Sequence, residues 1–415
     1  MMRRTLSALL VTAALFLPGT ASSQTVSVFG SVGLQTISSD APRPWIDGGF
    51  GRLQGGTDGD ESADETLVGE LNLGIEWLSS RDMVIFAHGL ARGESRAREK
   101  WSGGIVEAWG ERTFRLDSIN ETRIRAGTMI LPTSRENTGE LWSSPYLVSF
   151  SAINSWIAEE VRPTGVDIQY KRDDGSRSFR LAGTAFVAND TPGTLLAWRG
   201  WAIGNRLTTF GEELPLPPLH SLPDSFASQK PGTTPYGDEL DGRIGWAARA
   251  RYDLWNRLTV QATHYDNRGD RELHSDEYAW RTRFDLFAIE LSPGGGLTLI
   301  SEVMRGSTLM GPASGARVEA DFGSVYVLAS WARCWLRVSG RYDRFSTTDR
   351  DFSAAENNDE DGESYAIAIA VAPSPAFRAA LEFLEVDVER LASLESGAPL
   401  QNGGDAILFH LRFSF

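Results

Sequence analysis

Along almost the whole chain, apolar residues recur at every second position. Val26, Val28, Val32 and Leu34 align on one face of 25–36. Leu67, Leu71, Leu73, Ile75 and Trp77 alternate with Glu70, Asn72 and Glu76. A period of two sends successive side chains to opposite faces, so each run predicts a β-strand with one apolar and one polar face. Further strands are predicted near 83–92, 104–116, 122–131, 164–172, 177–189, 241–254, 257–266, 278–291, 297–306, 317–331, 335–346, 363–372, 376–388 and 405–415. Which face points inward stays open in 83–92, 297–306 and 317–331.

The connections sort into two kinds that alternate. Short ones fall at 79–82, 117–121, 172–176, 254–257, 292–296, 332–334 and 372–375, rich in the residues that tight turns require. Long ones fall near 36–65, 93–102, 132–163, 190–240, 267–277, 307–316, 347–362 and 389–404. About sixteen strands, with short and long connections in strict alternation, predict an all-β, transmembrane antiparallel barrel with short periplasmic turns and long extracellular loops. A soluble all-β protein has no reason to sort its loops this way. Trp77, Tyr170, Phe179, Tyr252, Trp255, Trp331, Trp335, Phe377 and Phe415 gather beside the short turns, where an aromatic girdle would sit. The faces Ile244/Trp246/Ala248/Ala250/Tyr252 and Tyr365/Ile367/Ile369/Val371 avoid charge and are expected to meet lipid.

The N-terminus changes the setting. Arg3 and Arg4, the apolar run 6–17 and the small residues of 18–23 read as a signal peptide, residues 1–23, with cleavage after Ser23 or Ala21 both fitting; the barrel is then 24–415. No later run is long and apolar enough for a spanning helix. The single cysteine, Cys334, excludes an internal disulfide framework and a thiolate metal cluster. A formal charge of −15, two units more negative without Arg3 and Arg4, makes nucleic acid an unsuitable partner.

Arginine, not lysine, occupies the faces expected to point inward: Arg123, Arg125, Arg180, Arg243, Arg249, Arg251, Arg281, Arg283, Arg337, Arg341, Arg378 and Arg412. A permanently charged planar guanidinium can line a wet wall, held by carboxylates. Pairing with Asp167, Asp253, Asp285, Asp343 and Glu382 across the lumen is the alternative for any one of them. The third long connection, 132–163, carries Trp142, Tyr146, Phe150 and Trp156, too many aromatics for a loop that only meets water. It is expected to pack into the lumen.

The chain ends on Phe409, Leu411, Phe413 and Phe415 on one face and His410, Arg412 and Ser414 on the other. This resembles the C-terminal signature of Gram-negative outer-membrane proteins, which implies reading by the barrel-assembly machinery. The stretch 123–132, the loop after it and 162–170 are similar to the outer-membrane porins, most closely the phosphate-selective group. That resemblance implies a channel for small hydrophilic solutes and ions, a third loop folded in as a constriction, contact with lipid and lipopolysaccharide, and a homotrimer. Arg135, Glu136, Glu140, Glu159, Glu160 and Arg162 would form the constriction, the glutamates facing the arginine wall. Scarce lysine departs from the phosphate-selective pattern and argues against a dedicated phosphate site.

Other chemistries find less support. None of the five histidines, His88, His220, His264, His274 and His410, lies in a local motif with a serine and a carboxylate, so no enzyme is expected. Acidic clusters stand at Asp58, Asp60, Glu61, Asp64 and Glu65, at Asp266, Asp270, Glu272, Asp276 and Glu277, and across 349–363. None has the spacing of a calcium loop, so they read as solvated surface, and neither metal nor cofactor is expected. A solute-specific channel using the arginines, or a non-conducting structural or adhesive barrel, are the alternatives to a general porin.

Overall fold

The alternating runs pair with their neighbours in chain order, and the last closes on the first. The computed structural model describes residues 23–41, 43–56, 64–80, 82–95, 100–312, 314–351 and 357–415. The expected signal peptide up to residue 22, and Asp58, Asp60, Glu61 and Glu356 of the acidic loops, lie outside the described residues.

The barrel strands are β1 (Ser23–Ser39), β2 (Asp64–Ser80), β3 (Met83–Ser95), β4 (Lys100–Arg115), β5 (Asn120–Thr128), β6 (Thr164–Asp173), β7 (Arg177–Val187) and β8 (Gly245–Leu254). They continue as β9 (Leu258–Asp266), β10 (Arg281–Gly294), β11 (Leu297–Met310), β12 (Val318–Arg333), β13 (Leu336–Asp349), β14 (Glu360–Ser374), β15 (Phe377–Arg390) and β16 (Gly404–Ser414). All sixteen belong to one closed antiparallel sheet. Closure pairs Val32 with Leu411 and Gly30 with Phe413, so the terminal strand sits in the wall beside the first. A closed sheet leaves no unpaired edge, the condition for crossing lipid with strands. The described residues contain no helix long and apolar enough to span a membrane.

The outer face is apolar as the periodicity predicts. Ile367 is 61% exposed and Ile244 60%, and Val26, Leu71, Ile168, Leu181, Val327 and Leu381 are exposed with them. The inner face departs from a uniformly polar wall. Tyr265, Phe284, Met304, Phe322, Tyr326 and Phe345 point inward and are buried. The apolar inner residues explain why 297–306 and 317–331 gave no clear facing. In β12, Phe322, Tyr326 and Leu328 are buried inside while Val327 and Trp331 are exposed outside, so both faces are apolar and the period-two signal is lost.

What those inner residues pack against is the loops. The connection between β5 and β6 contains α1 (Ala152–Glu160), every residue of which is buried. That between β7 and β8 contains α2 (Thr194–Trp198), also buried throughout. The remaining core therefore lies inside the barrel, where Trp156 meets Phe284 at 5.4 Å and Phe322 at 5.2 Å between ring centroids.

Candidate functional site: the filled lumen

The third loop docks because its backbone and polar side chains find partners on the wall. Ser151 caps α1, its hydroxyl accepting from the Asn154 N–H at 3.3 Å. The Ala152 N–H donates to Asp343 at 3.1 Å, and the Val148 N–H to Glu382 at 2.5 Å. Arg341 sits among these carboxylates, 2.8 Å from Glu136 and 2.6 Å from Asp343, and donates to the carbonyls of Ser149 and Phe150. Charges removed from water are tolerated only when paired and hydrogen-bonded in this way. Asn154 adds a bond to Glu302, whose carboxylate also accepts from the Arg135 N–H.

The six residues expected to form a constriction separate into three environments. Glu136 does face the arginine wall, through Arg341, but with both side chains fully buried and no open gap between them. Arg135 pairs with Glu290 at 2.6 Å, and Glu140 lies at the exposed end, 3.4 Å from Arg412. The other three correct the expectation. Glu159 pairs with Arg199 of the fourth loop at 2.8 Å, not with the wall. Glu160 accepts from the Trp156 indole at 2.6 Å and from the Leu195 and Leu196 N–H groups at the start of α2. Burial pushes its carboxyl up to about 7. Arg162 is buried and donates to the carbonyls of Ala158, Val106 and Thr208. The cause is common to all three: the fourth loop occupies the space that water would have filled.

The twelve wall arginines likewise divide. Arg123, Arg125, Arg180, Arg249 and Arg251 come together around a cleft of about 170 Å³, with Glu111, Asp167, Gln169 and Gln261. They are largely paired: Arg125 with Glu111 at 2.8 Å, Arg249 with Asp167 at 2.6 Å, and Arg251 with Asp253 at 2.6 Å. Arg337, Arg378 and Arg412 stand on the opposite wall near the short turns. Arg412 lies 3.8 Å over the Phe29 ring and donates to Ser143, while Arg337 donates to Ser330. One nitrogen of Arg378, Nη2, is buried with no hydrogen-bond partner.

Three arginines are not on the wall. Arg281 and Arg283 are on the outer face of β10, exposed, because Thr282, Phe284 and Leu286 turn inward to meet the loops. They belong to the long-loop end, where Arg281 lies 3.6 Å from Asp266 and Arg283 donates to Ser307. Arg243 precedes β8 and is exposed at the rim.

The fourth loop was missed as a lumenal element. Its α2 ends at Gly200, φ +92°, where a side chain would strike the Glu360 carboxylate. Glu360 lies 3.1 Å from Arg52 and 3.2 Å from Arg390. Arg52 donates to the carbonyls of Arg199 and Trp201, and Arg390 to those of Ala197 and Trp198. Guanidinium groups thus satisfy the free carbonyls at the end of α2. The signal that could have found this loop is the one that marked the third: Trp198, Trp201, Phe210, Phe226 and Tyr236 in a connecting segment.

Beside the filled centre, smaller cavities remain along the seam of β1, β2 and β16. One of about 50 Å³ is bordered by Phe29, Ser31, Arg378, Arg412 and Asn205; one of about 30 Å³ by Ser31, Glu70, His410 and Asn205; one of about 20 Å³ by Gln35, Gln54, Leu384 and Asn205. Four of the five histidines take carboxylate or amide partners: His88 with Asn72, His264 with Asp285, His274 with Asp270 and His220 with Glu395.

No family model matches the sequence, and no curated protein does either. Solved structures do match. The outer-membrane channel DcaP of Acinetobacter baumannii superposes with a TM-score of 0.54 at 9% identity, over 96% of this chain and 99% of that one. OmpF of Salmonella typhi gives 0.51 at 10% identity, over 94% and 97%. The anion-selective porin of Comamonas acidovorans gives 0.50 at 10% identity, over 95% and 100%. At such identities the likeness carries the fold, and with the strand order above the chain has the closed sixteen-stranded barrel of the porins.

Proposed function

We propose that the chain is a passive channel of a Gram-negative outer membrane for small hydrophilic solutes and ions. The observation that carries this is the pairing of an apolar band on the outer face with polar cavities retained inside a closed barrel. Lipid is the environment such an outer face requires, and a water-holding interior is what a channel requires. Export through cleavage after Ser23 or Ala21, recognition of Phe409, Leu411, Phe413 and Phe415 by the barrel-assembly machinery, contact with lipopolysaccharide and assembly as a homotrimer belong to the same reading. So does a preference for anions, favoured by the arginines; the porin of Comamonas acidovorans with the same fold is anion-selective, which accords with it. A phosphate-specific filter is not part of the proposal.

A second reading has its own observation. Trp156, Trp198 and Trp201 are fully buried among the loops that fill the barrel, as a blocked structural barrel would require. Reconstitution of the purified protein into planar bilayers separates the two. Stepwise conductance in KCl supports the channel; silence from protein that is folded by its heat-modifiable migration supports the blocked barrel.

A further inference from the structure

We infer that solutes pass along the seam where the first and last strands meet, and that Asn205 of the fourth loop is the residue that sets the width of that route. The inference rests on the channel reading and says where within the barrel it operates. The three seam cavities lie in sequence along β1, from Phe29 and Ser31 near the short turns to Gln35 and Ile37 toward the long loops. Adjacent cavities share their borders: Ser31, Glu70, Val148 and His410 separate the first from the second, and Gln35 and Leu408 the second from the third. Asn205 borders all three. A space of roughly 10–15 Å³ on this scale already holds one water, and the lining offers the polar partners that water needs.

The segment carrying Asn205 is clamped from both sides, so it narrows the seam instead of drifting through it. The Gly204 carbonyl accepts from the Phe150 N–H at 2.8 Å and the Ser155 hydroxyl at 3.1 Å, which ties it to the third loop. On the other side the Gln54 amide oxygen, turned toward it, accepts from the Asn205 and Arg206 N–H groups at 2.9 and 2.8 Å. A Cβ at Gly204 would displace the Gln54 amide from this position. The amide of Asn205 itself is half-buried and free to present a donor and an acceptor to water in the route. The larger cleft on the far wall is separate: its arginines are paired, and it shares no bordering residue with the seam cavities.

The test uses the full mature protein with Cys334→Ser as background, in planar bilayers in KCl. Asn205→Cys and, in the arginine-lined cleft, Ala182→Cys are each treated with a small charged methanethiosulfonate. Heat-modifiable migration confirms that each variant is folded. Modification at 205 is expected to lower conductance by about threefold or more, reversibly with a reductant, and modification at 182 to leave it unchanged. Conductance that falls on modification at 182 and not at 205 overturns the seam route while leaving the channel standing. Conductance unaffected at both sites also overturns it. If the folded background protein itself does not conduct, the channel reading fails, and the route with it.

Discussion

Arg341 of β13 and Glu136 of the third loop form a fully buried ion pair, 2.8 Å between Nη1 and Oε1. Strand and loop are far apart in sequence, and this pair, with Asp343 and Glu382 beside it, fixes how the loop enters the barrel. Arg341→Ala removes the cation shared by buried carboxylates. Breaking such a pair from one side costs about 3–5 kcal/mol. The unfolding midpoint in urea is expected to fall accordingly, and the 132–163 loop to become open to protease in otherwise intact barrels. A midpoint unchanged from the parent would show that the network does not hold the loop.

Trp156 is the wedge of the lumenal core, packed on Phe284, Phe322 and Trp201. Truncating a buried aromatic to alanine costs about 3–5 kcal/mol when the surroundings cannot collapse, and the barrel wall restricts collapse. Trp156→Ala should therefore lower the unfolding midpoint in urea while, since Trp156 borders none of the seam cavities, leaving single-channel conductance unchanged. A midpoint equal to the parent's would remove Trp156 from the load the lumenal core carries, and a raised conductance would put a solute route through the core.

Asp190 in the fourth loop is buried, and burial together with the neighbouring Glu239 and Asp241 pushes its carboxyl up to about 7. The Leu240 N–H, donating to it at 2.6 Å, opposes that shift without cancelling it. A group whose pKa is raised in the docked loop binds its proton there more readily than in the released loop. Docking is therefore strongest below the ordinary value of 3.8, weakens as pH rises through about 7, and is flat above it. Protease resistance of the 188–244 loop should fall from pH 4 to pH 7, and Asp190→Asn should flatten that profile and protect the loop at pH 8. An Asn variant with the parental profile would assign the titration elsewhere.

Ile367 tests the facing of the wall. It lies mid-strand in β14 and is 61% exposed on the outer face. An arginine facing lipid near the midplane costs about 2–4 kcal/mol. Ile367→Arg should lower the stability of the barrel refolded into phosphatidylcholine vesicles by that amount in a urea titration. No measurable loss would mean that this face does not meet hydrocarbon.

The wall was legible because lipid imposes one rule on every strand: each second residue apolar, whatever lies inside. That rule gives the sixteen strands, the sorting of the connections and the faces of Ile244 and Ile367. The interior obeys no such rule. Phe284 and Phe322 are apolar for the sake of Trp156, a partner outside their strands that no local pattern reveals. Arg281 and Arg283 alternate as regularly as Arg249 and Arg251, yet they lie outside at the long-loop end, where charge costs little. The third loop announced itself through its aromatics. The fourth carried the same signal, with its charged partners spread over Arg52, Glu360 and Arg390, in three different parts of the chain.

Arg378 and Arg283 separate the inner and outer faces in function. Arg378 borders the seam cavity next to Arg412, and its Nη2 is buried without a hydrogen-bond partner. A guanidinium so placed raises the local concentration of anions in whatever aqueous space it adjoins. Arg378→Gln should therefore raise the cation-to-anion permeability ratio by about twofold or more, read as the reversal potential in a KCl gradient. Arg283→Gln removes the same charge from the outer face at the long-loop end and should leave that potential unchanged. If instead the outer substitution moves the potential and the inner one does not, ions do not pass beside Arg378.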